Sequence, residues 1–272
     1  MSSDDAKPSR PEITISSTTE NPPAFLDLLT QAFLTDPAYT FFLHRVPWYL
    51  RPAALYHLFG QNLIACSVRR HGSSKATFYA ASTEPNSSSN CISSPQSCAV
   101  ILHPGMDVLD LGIGGWWKML CGGALKAFWY AGFNLIPRYV KHFESQTIRA
   151  KKATFAKGET YYYMWHIATD AAHRGKGLAP ALIREVQERA QSEGKALWTE
   201  ASSPMSRVVY AKCGFVDVRV EGLKGSKGGE FRLGVGVVDE SGERAGGEGA
   251  VGVPVFPMVW WPEGYVKGGE RK

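Results

Sequence analysis

Apolar residues recur at helical spacing soon after a polar leader. Phe25, Leu28, Leu29 and Phe33 follow Asn21-Pro22-Pro23 and run to Asp36-Pro37, which predicts a first amphipathic helix. A second is predicted after Pro52, with Leu55, Leu58, Phe59, Leu63 and Ile64 on one side and His71-Gly72 as its limit. The period then shortens. Residues 76–81 and 98–102, joined through the Ser/Asn-rich stretch 82–97, predict two strands of an antiparallel hairpin. Residues 111–143 read as predominantly helical, broken at 134–137.

The second half of the chain alternates. Residues 161–169, rich in aromatic and β-branched side chains, predict a central strand. A loop at 170–176 leads to a helix at 177–193, whose apolar stripe is Leu182, Ile183, Val186 and Ala190 and whose stop is Gly194. A strand at 196–201 follows, then a helix with Ser203 as N-cap and Pro204 in its first position, ended by Gly214, and a strand at 215–220. Glycine dominates 222–253, which predicts a mobile insertion lacking packed elements over most of its length. Residues 254–263 add a last strand, whose prolines predict an edge or bulged position, before a polar tail at 264–272. Residues 1–20 read as a disordered leader, which makes 21–221 the body of one domain.

Composition narrows the class. A net charge of +5 over 272 residues, with no basic tract interleaved with aromatics, argues against nucleic acid as a partner. The five cysteines are scattered, with no CxxC pair and no paired-histidine spacing, so neither a metal site nor a disulfide framework is expected. Reduced thiols and the lack of a signal-peptide pattern suit the cytoplasm or nucleus. Residues 111–136 are apolar enough to raise the question of a membrane, but Lys118 and Lys126 inside them argue against a span. A buried or groove-lining helix is the plainer reading, with interfacial attachment as the alternative. The cluster Arg149, Lys151, Lys152 and Lys157 reads as a solvated face.

The chemistry concentrates at Arg174-Gly175-Lys176-Gly177-Leu178-Ala179, between a strand and a helix whose first turn offers unpaired N–H groups. Glycines there let backbone close around a diphosphate, and the positive end of the helix dipole attracts the charge. GxxxxGK[ST] is absent and no GxGxxG stands near the start of a βαβ unit, which excludes the common nucleotide loops. The pattern that is present, [RQ]-x-x-G-x-[GA] after an apolar strand ending Tyr163-Met164-Trp165-His166-Ile167-Ala168-Thr169, resembles the GNAT N-acetyltransferases. A second block, from Ser203-Pro204 to Tyr210-Ala211-Lys212-Cys213-Gly214-Phe215, is similar to that family's Tyr-x-x-x-Gly-Phe helix turn. The wider layout looks most like the branch of puromycin-type and fungal uncharacterised acetyltransferases.

The resemblance implies an α/β (α+β) fold with a mixed, V-splayed central sheet of about six or seven strands flanked by helices. It implies acetyl-CoA as co-substrate and no metal. Backbone groups of Ile167, Ala168 and Thr169 would follow the pantetheine arm, and the amides of Arg174, Gly175, Lys176, Gly177, Leu178 and Ala179 would hold the pyrophosphate. Ser203 stands where the family often has asparagine, and Ser203, Ser206 and Tyr210 fall near one helical face.

Tyr210 suits a further role, since aminolysis of a thioester expels a thiolate that a phenol can protonate. The attacking amine must lose a proton, and His166 and Glu200 are the candidate bases or amine anchors. Cys213 has no activating neighbour and reads as a structural thiol. These features predict direct acetyl transfer to a small or medium-sized amine through a ternary complex. A CoA-binding sensor without catalysis and a membrane-associated interaction protein are the alternatives.

Overall fold

The computed structural model describes residues 12–83, 91–220, 222 and 229–267. The chain opens with strand β1 (Thr14–Thr18), helices α1 (Ala24–Phe33), α2 (Pro37–Leu43) and α3 (Arg51–Ser67), and a small ribbon of β2 (Arg69–Arg70) and β3 (Ser73–Ser74). The predicted hairpin follows as β4 (Ala76–Ser82) and β5 (Ser97–Leu102). Helices α4 (Gly112–Cys121), α5 (Ala124–Ala131) and α6 (Leu135–Tyr139) come next, and α7 (Ser145–Thr154) follows a π-helical turn at Val140–Glu144. Then come β6 (Tyr162–Thr169), α8 (Leu178–Ser192), β7 (Leu197–Ala201), α9 (Pro204–Lys212) and the short β8 (Val216–Asp217). Strands β9 (Phe231–Leu233) and β10 (Val253–Trp260) complete the order.

The strands form one mixed sheet in the order β1-β4-β5-β6-β7-β10-β8, with β9 on the other half of β10. Every pairing is antiparallel except β6 with β7. This parallel pair holds only at Tyr162 with Leu197 and Tyr163 with Trp198, so past Tyr163 the two strands part. The expected splayed α/β fold is therefore present. Alternation sets which face each side chain takes: Phe78, Val100 and Trp198 pack under α1 and α3, while Tyr79, Ile101 and Leu197 pack against α8 with Leu182, Ile183 and Val186.

Several expectations need correction. The reading of 1–20 as a disordered leader fails at 14–18, which pair with β4 as an edge strand; Ile13 and Ile15 lie against the α8-side core, so the Ser/Thr-rich run is half of an alternating pattern. Residues 1–11 lie outside the described residues. Within 222–253, residues 229–253 are packed: Phe231, Leu233, Val238 and Val253 are buried with Phe41 and Phe42 of α2. Glycine there serves close approach as well as turning, since a Cβ on Gly242 would fall 2.2 Å from the Pro37 carbonyl oxygen. The rest of that reading falls on 223–228, outside the described residues. Strand β10 is internal, between β7 on one side and β8 and β9 on the other, because nearly all its residues are buried on both faces despite Pro254 and Pro257. The strand predicted at 215–220 shrinks to two residues.

The segment 111–143 breaks at Gly122-Gly123 and at 132–134, whereas residues 135–137 of the expected break at 134–137 lie inside α6, with Pro137 tolerated in its first turn. No helix among the described residues is long and apolar enough to cross a membrane.

Candidate active site

Where β6 leaves β7, two irregularities shape the sheet. Against β5, Val100 pairs with His166 and Ile101 with Met164, which leaves Trp165 as the extra residue of a β-bulge. The bulge resets the alternation, so that Tyr163, Trp165 and His166 all face the α1–α3 side. On the other edge, Thr199 Oγ1 donates to the Met164 carbonyl at 3.3 Å, and beyond it the β7-facing edge of β6 carries no ladder. Ile167, Ala168 and Thr169 line that open edge. Ser97 Oγ secures them from the β5 side, with the Ala168 carbonyl at 2.8 Å and Thr169 Oγ1 at 2.9 Å.

The strand runs into the glycine loop through a helical turn capped by Asp170, whose Oδ1 accepts from Ala172 N at 2.8 Å. Arg174, Gly175 and Lys176 are exposed, and Leu178 plugs into the α8-side core. Gly175 and Gly177 have φ of +80° and +84°, in the left-handed region that favours glycine. No atom lies within 4 Å of a Cβ built on Gly175, so the loop is open on that side. No side chain caps α8, and its first-turn amides remain available as donors to an anion. A diphosphate fits this cradle. Among the described residues no group of three or more His, Cys, Asp or Glu is placed to hold a metal ion.

Tyr210 lies on α9, buried against Phe215 at 5.3 Å between ring centres. Burial pushes its phenol up to about 12, opposed by a hydrogen bond with the Thr199 side chain. The group is a proton donor at neutral pH, beside the residue that marks the opening of the sheet. Ser203 and Ser206, expected to touch the cofactor, form a capping box. Ser206 N donates to Ser203 Oγ at 3.2 Å and Ser203 N to Ser206 Oγ at 3.1 Å. Their hydroxyls are engaged in starting α9.

The two candidate bases have different surroundings. His166 is enclosed by the rings of Phe33, Phe59 and Trp165 at 5.7, 5.2 and 5.3 Å, its Nε2 has no partner, and burial pushes its imidazole down to about 3. Glu200 accepts from Tyr163 Oη at 2.5 Å and from Trp198 Nε1 at 2.6 Å, so each carboxylate oxygen already has a donor. A third carboxylate, at the limit of the first predicted helix, stands out by its raised proton affinity. Asp36 caps α2, its Oδ1 accepting from Ala38 N at 3.0 Å and Tyr39 N at 3.1 Å, while Oδ2 accepts from Ser202 Oγ just past β7. Burial outweighs these bonds and raises its carboxyl from 3.8 to about 6. The signal available beforehand was Asp36-Pro37, an N-cap followed by proline, which reads as a helix start.

A cavity of about 650 Å³ lies against the α1–α3 face of this junction. Tyr39, Tyr139, Tyr163 and Trp165 form aromatic walls, and Trp116 of α4 borders it. Lys151 also lines it, so the reading of a solvated face holds for the exposed Arg149, Lys152 and Lys157 but not for Lys151. With Gln146, Thr147 and Ala150, one face of α7 turns inward and carries Lys151 Nζ to 3.6 Å from the Tyr163 ring centre. Burial lowers the Lys151 pKa, and the Glu200 charge opposes that shift. Three carboxylates, Asp107, Glu144 and Glu159, also line the cavity.

Residues 132–215 match the family model described as Acetyltransferase (GNAT) family. No curated protein matches the sequence. Among solved structures, the chain is similar to one described as histone acetyltransferase HPA2 and related acetyltransferase from Corynebacterium glutamicum. The two share 19% identity, 92% of this chain and 96% of that one are covered, and the TM-score is 0.49. Arylalkylamine N-acetyltransferase 2 from Aedes aegypti shares 17% identity over 92% of this chain and 99% of its own, with a TM-score of 0.46. A Drosophila melanogaster polyamine N-acetyltransferase shares 15% over 92% and 100%, also at 0.46. The matched stretch supplies α6, α7, β6, the glycine loop, α8, β7 and α9, and over these residues the chain is similar to that family.

Proposed function

We propose that the protein transfers an acetyl group from acetyl-CoA to the amine of a small or medium-sized acceptor by direct attack in a ternary complex. The observation that carries this reading is the junction itself: an uncapped helix terminus behind an open glycine loop, continuous with an unpaired strand edge, with a separate cavity on the α1–α3 face. The strand edge at Ile167, Ala168 and Thr169 suits a pantetheine amide chain, and the amides from Arg174 to Ala179 suit the pyrophosphate. Acetyl-CoA, when bound, supplies the activated thioester.

The chain's own groups divide the remaining work. Tyr210 donates a proton to the departing sulfur. Asp36, with a carboxyl near 6, is ionised at neutral pH and close enough to neutrality to take a proton from the amine, directly or through Ser202 or water. The carboxylates Asp107, Glu144 and Glu159 attract a cationic amine into the cavity, and its aromatic walls hold the apolar part. Lys151 sets a limit, since its charge repels a second cationic group placed near Tyr163.

Calorimetric titration with acetyl-CoA and CoA tests the reading. Micromolar binding that is lost when Gly175 and Gly177 are both replaced by valine supports the cofactor site. A wild-type protein that binds neither compound refutes it.

A further inference from the structure

Helices α4 and α5 are packed inside out. Both lie against α3, yet what they bury is small: Gly115 on α4, where a Cβ would meet Val68 Cγ1 at 3.3 Å, and Ala124, Ala127 and Ala131 on α5. Most of their large apolar side chains face outward, although Met119, Phe128 and Tyr130 are half-buried. Ile113 is 93% exposed, Trp129 83% and Phe133 82%, and Trp117, Leu120 and Leu125 are more than half exposed. On α4, residues 113, 117 and 120 recur at the spacing of one helical face, as do 125 and 129 on α5. Apolar exposure on this scale marks an interaction surface rather than scattered surface residues.

The charge on the same segment identifies the partner. From 111 to 143 the chain carries Lys118, Lys126, Arg138 and Lys141 and no carboxylate at all. Arg138 is bonded to the Phe42 carbonyl, whereas Lys118, Lys126 and Lys141 are exposed. Tryptophan and phenylalanine set among outward lysines, on helices too short to span a bilayer, are the chemistry of a surface lying in the headgroup region of an anionic membrane. Trp116, Ile136 and Val140 of this segment also border the cavity, so a docked face would bring the cavity wall to the lipid boundary.

We infer that the α4–α5 face binds the surface of an anionic lipid bilayer. This inference does not depend on acetyl transfer. It is tested by sedimenting the full chain with vesicles of phosphatidylcholine alone and of phosphatidylcholine mixed with phosphatidylserine, while tryptophan emission is recorded. The chain is expected to co-sediment with the mixed vesicles with a blue-shifted emission, and more weakly with the neutral ones. Trp117→Ser, Trp129→Ser and Phe133→Ser together abolish binding; Trp116 is left intact because it borders the cavity. Lys118→Gln with Lys126→Gln lowers affinity for the mixed vesicles about thirtyfold, the weight of two cations at an anionic surface. All five side chains are exposed, so unfolding midpoints equal to wild type establish that the variants are folded. Wild-type protein that stays in the supernatant with both vesicle types overturns the inference. So does a triple variant that binds as wild type does, or a wild-type dimer seen by light scattering that the triple variant dissolves.

Discussion

Replacing Asp36 by asparagine separates stability from activity. The wild-type carboxyl is raised from 3.8 to about 6 because ionisation has to occur where water is largely excluded. A folded-state pKa above the unfolded one means that the native state holds its proton longer. The associated stability is present in full below about pH 4 and is lost as pH rises through about 6. A displacement of roughly two units corresponds to about 3 kcal/mol at about 1.4 kcal/mol per unit. Asparagine keeps the oxygen that caps Ala38 N and Tyr39 N, caps helices about as well, and carries no charge to desolvate. The variant is therefore expected to gain about 1–3 kcal/mol over wild type above pH 6, a gain that shrinks to nothing near pH 4. If Asp36 is the base, kcat/KM at neutral pH falls about a hundredfold, and the rising limb near pH 6 disappears from the rate profile. Urea unfolding across that pH range and acetylation of a responsive amine supply the two readouts. A variant less stable than wild type at pH 8 refutes the burial argument, and one with full activity and an unchanged limb refutes the role as base.

Three further outcomes are expected. His166→Phe should leave acetylation intact and remove an acid-sensitive component: because the imidazole is lowered from 6.5 to about 3, wild type loses about 1.4 kcal/mol per pH unit below 6.5, a slope that urea titrations would find missing in the variant. Tyr210→Phe should cost about 1 kcal/mol through the lost Thr199 bond and lower kcat about a hundredfold with little change in CoA affinity; an unchanged kcat would leave the phenol a packing role. Gly177→Ala meets nothing closer than Ile13 Cδ1 at 3.9 Å, so its cost of about 1–2 kcal/mol is purely that of the left-handed backbone, to be read as a lowered unfolding midpoint together with weaker CoA binding.

The glycine loop and the strand before it were legible because local rules suffice there: a positive φ needs glycine, and a central strand needs β-branched and aromatic residues. Long-range placement was not legible. The role of Asp36 depends on Ser202, which is far away in sequence, and a lone Asp-Pro looks the same whether its helix start is buried or not. His166 carried the right chemistry for a base, and only the rings of Phe33 and Phe59 show that it is walled in. The insertion at 222–253 misled through its glycines, two of which, Gly234 and Gly242, serve close approach to α2. Lys151 was read with its charged neighbours, since periodicity alone did not reveal which face of α7 meets the sheet.

The parallel pair of β6 and β7 has one more consequence. It makes the sheet two sheets stitched at two rungs: β1, β4, β5 and β6 form one leaf, and β7, β10 and β8 form the other. Cooperative opening should begin along this seam, where two rungs join the leaves. In amide exchange, residues 162–163 and 197–198 should be the first to lose the protection of their shared rungs, while Val100 and Val259, deep in separate leaves, keep it. A molecule that lies in the cleft and bonds to both edges would act as the missing rungs, and its binding would register as slowed exchange across both leaves at once.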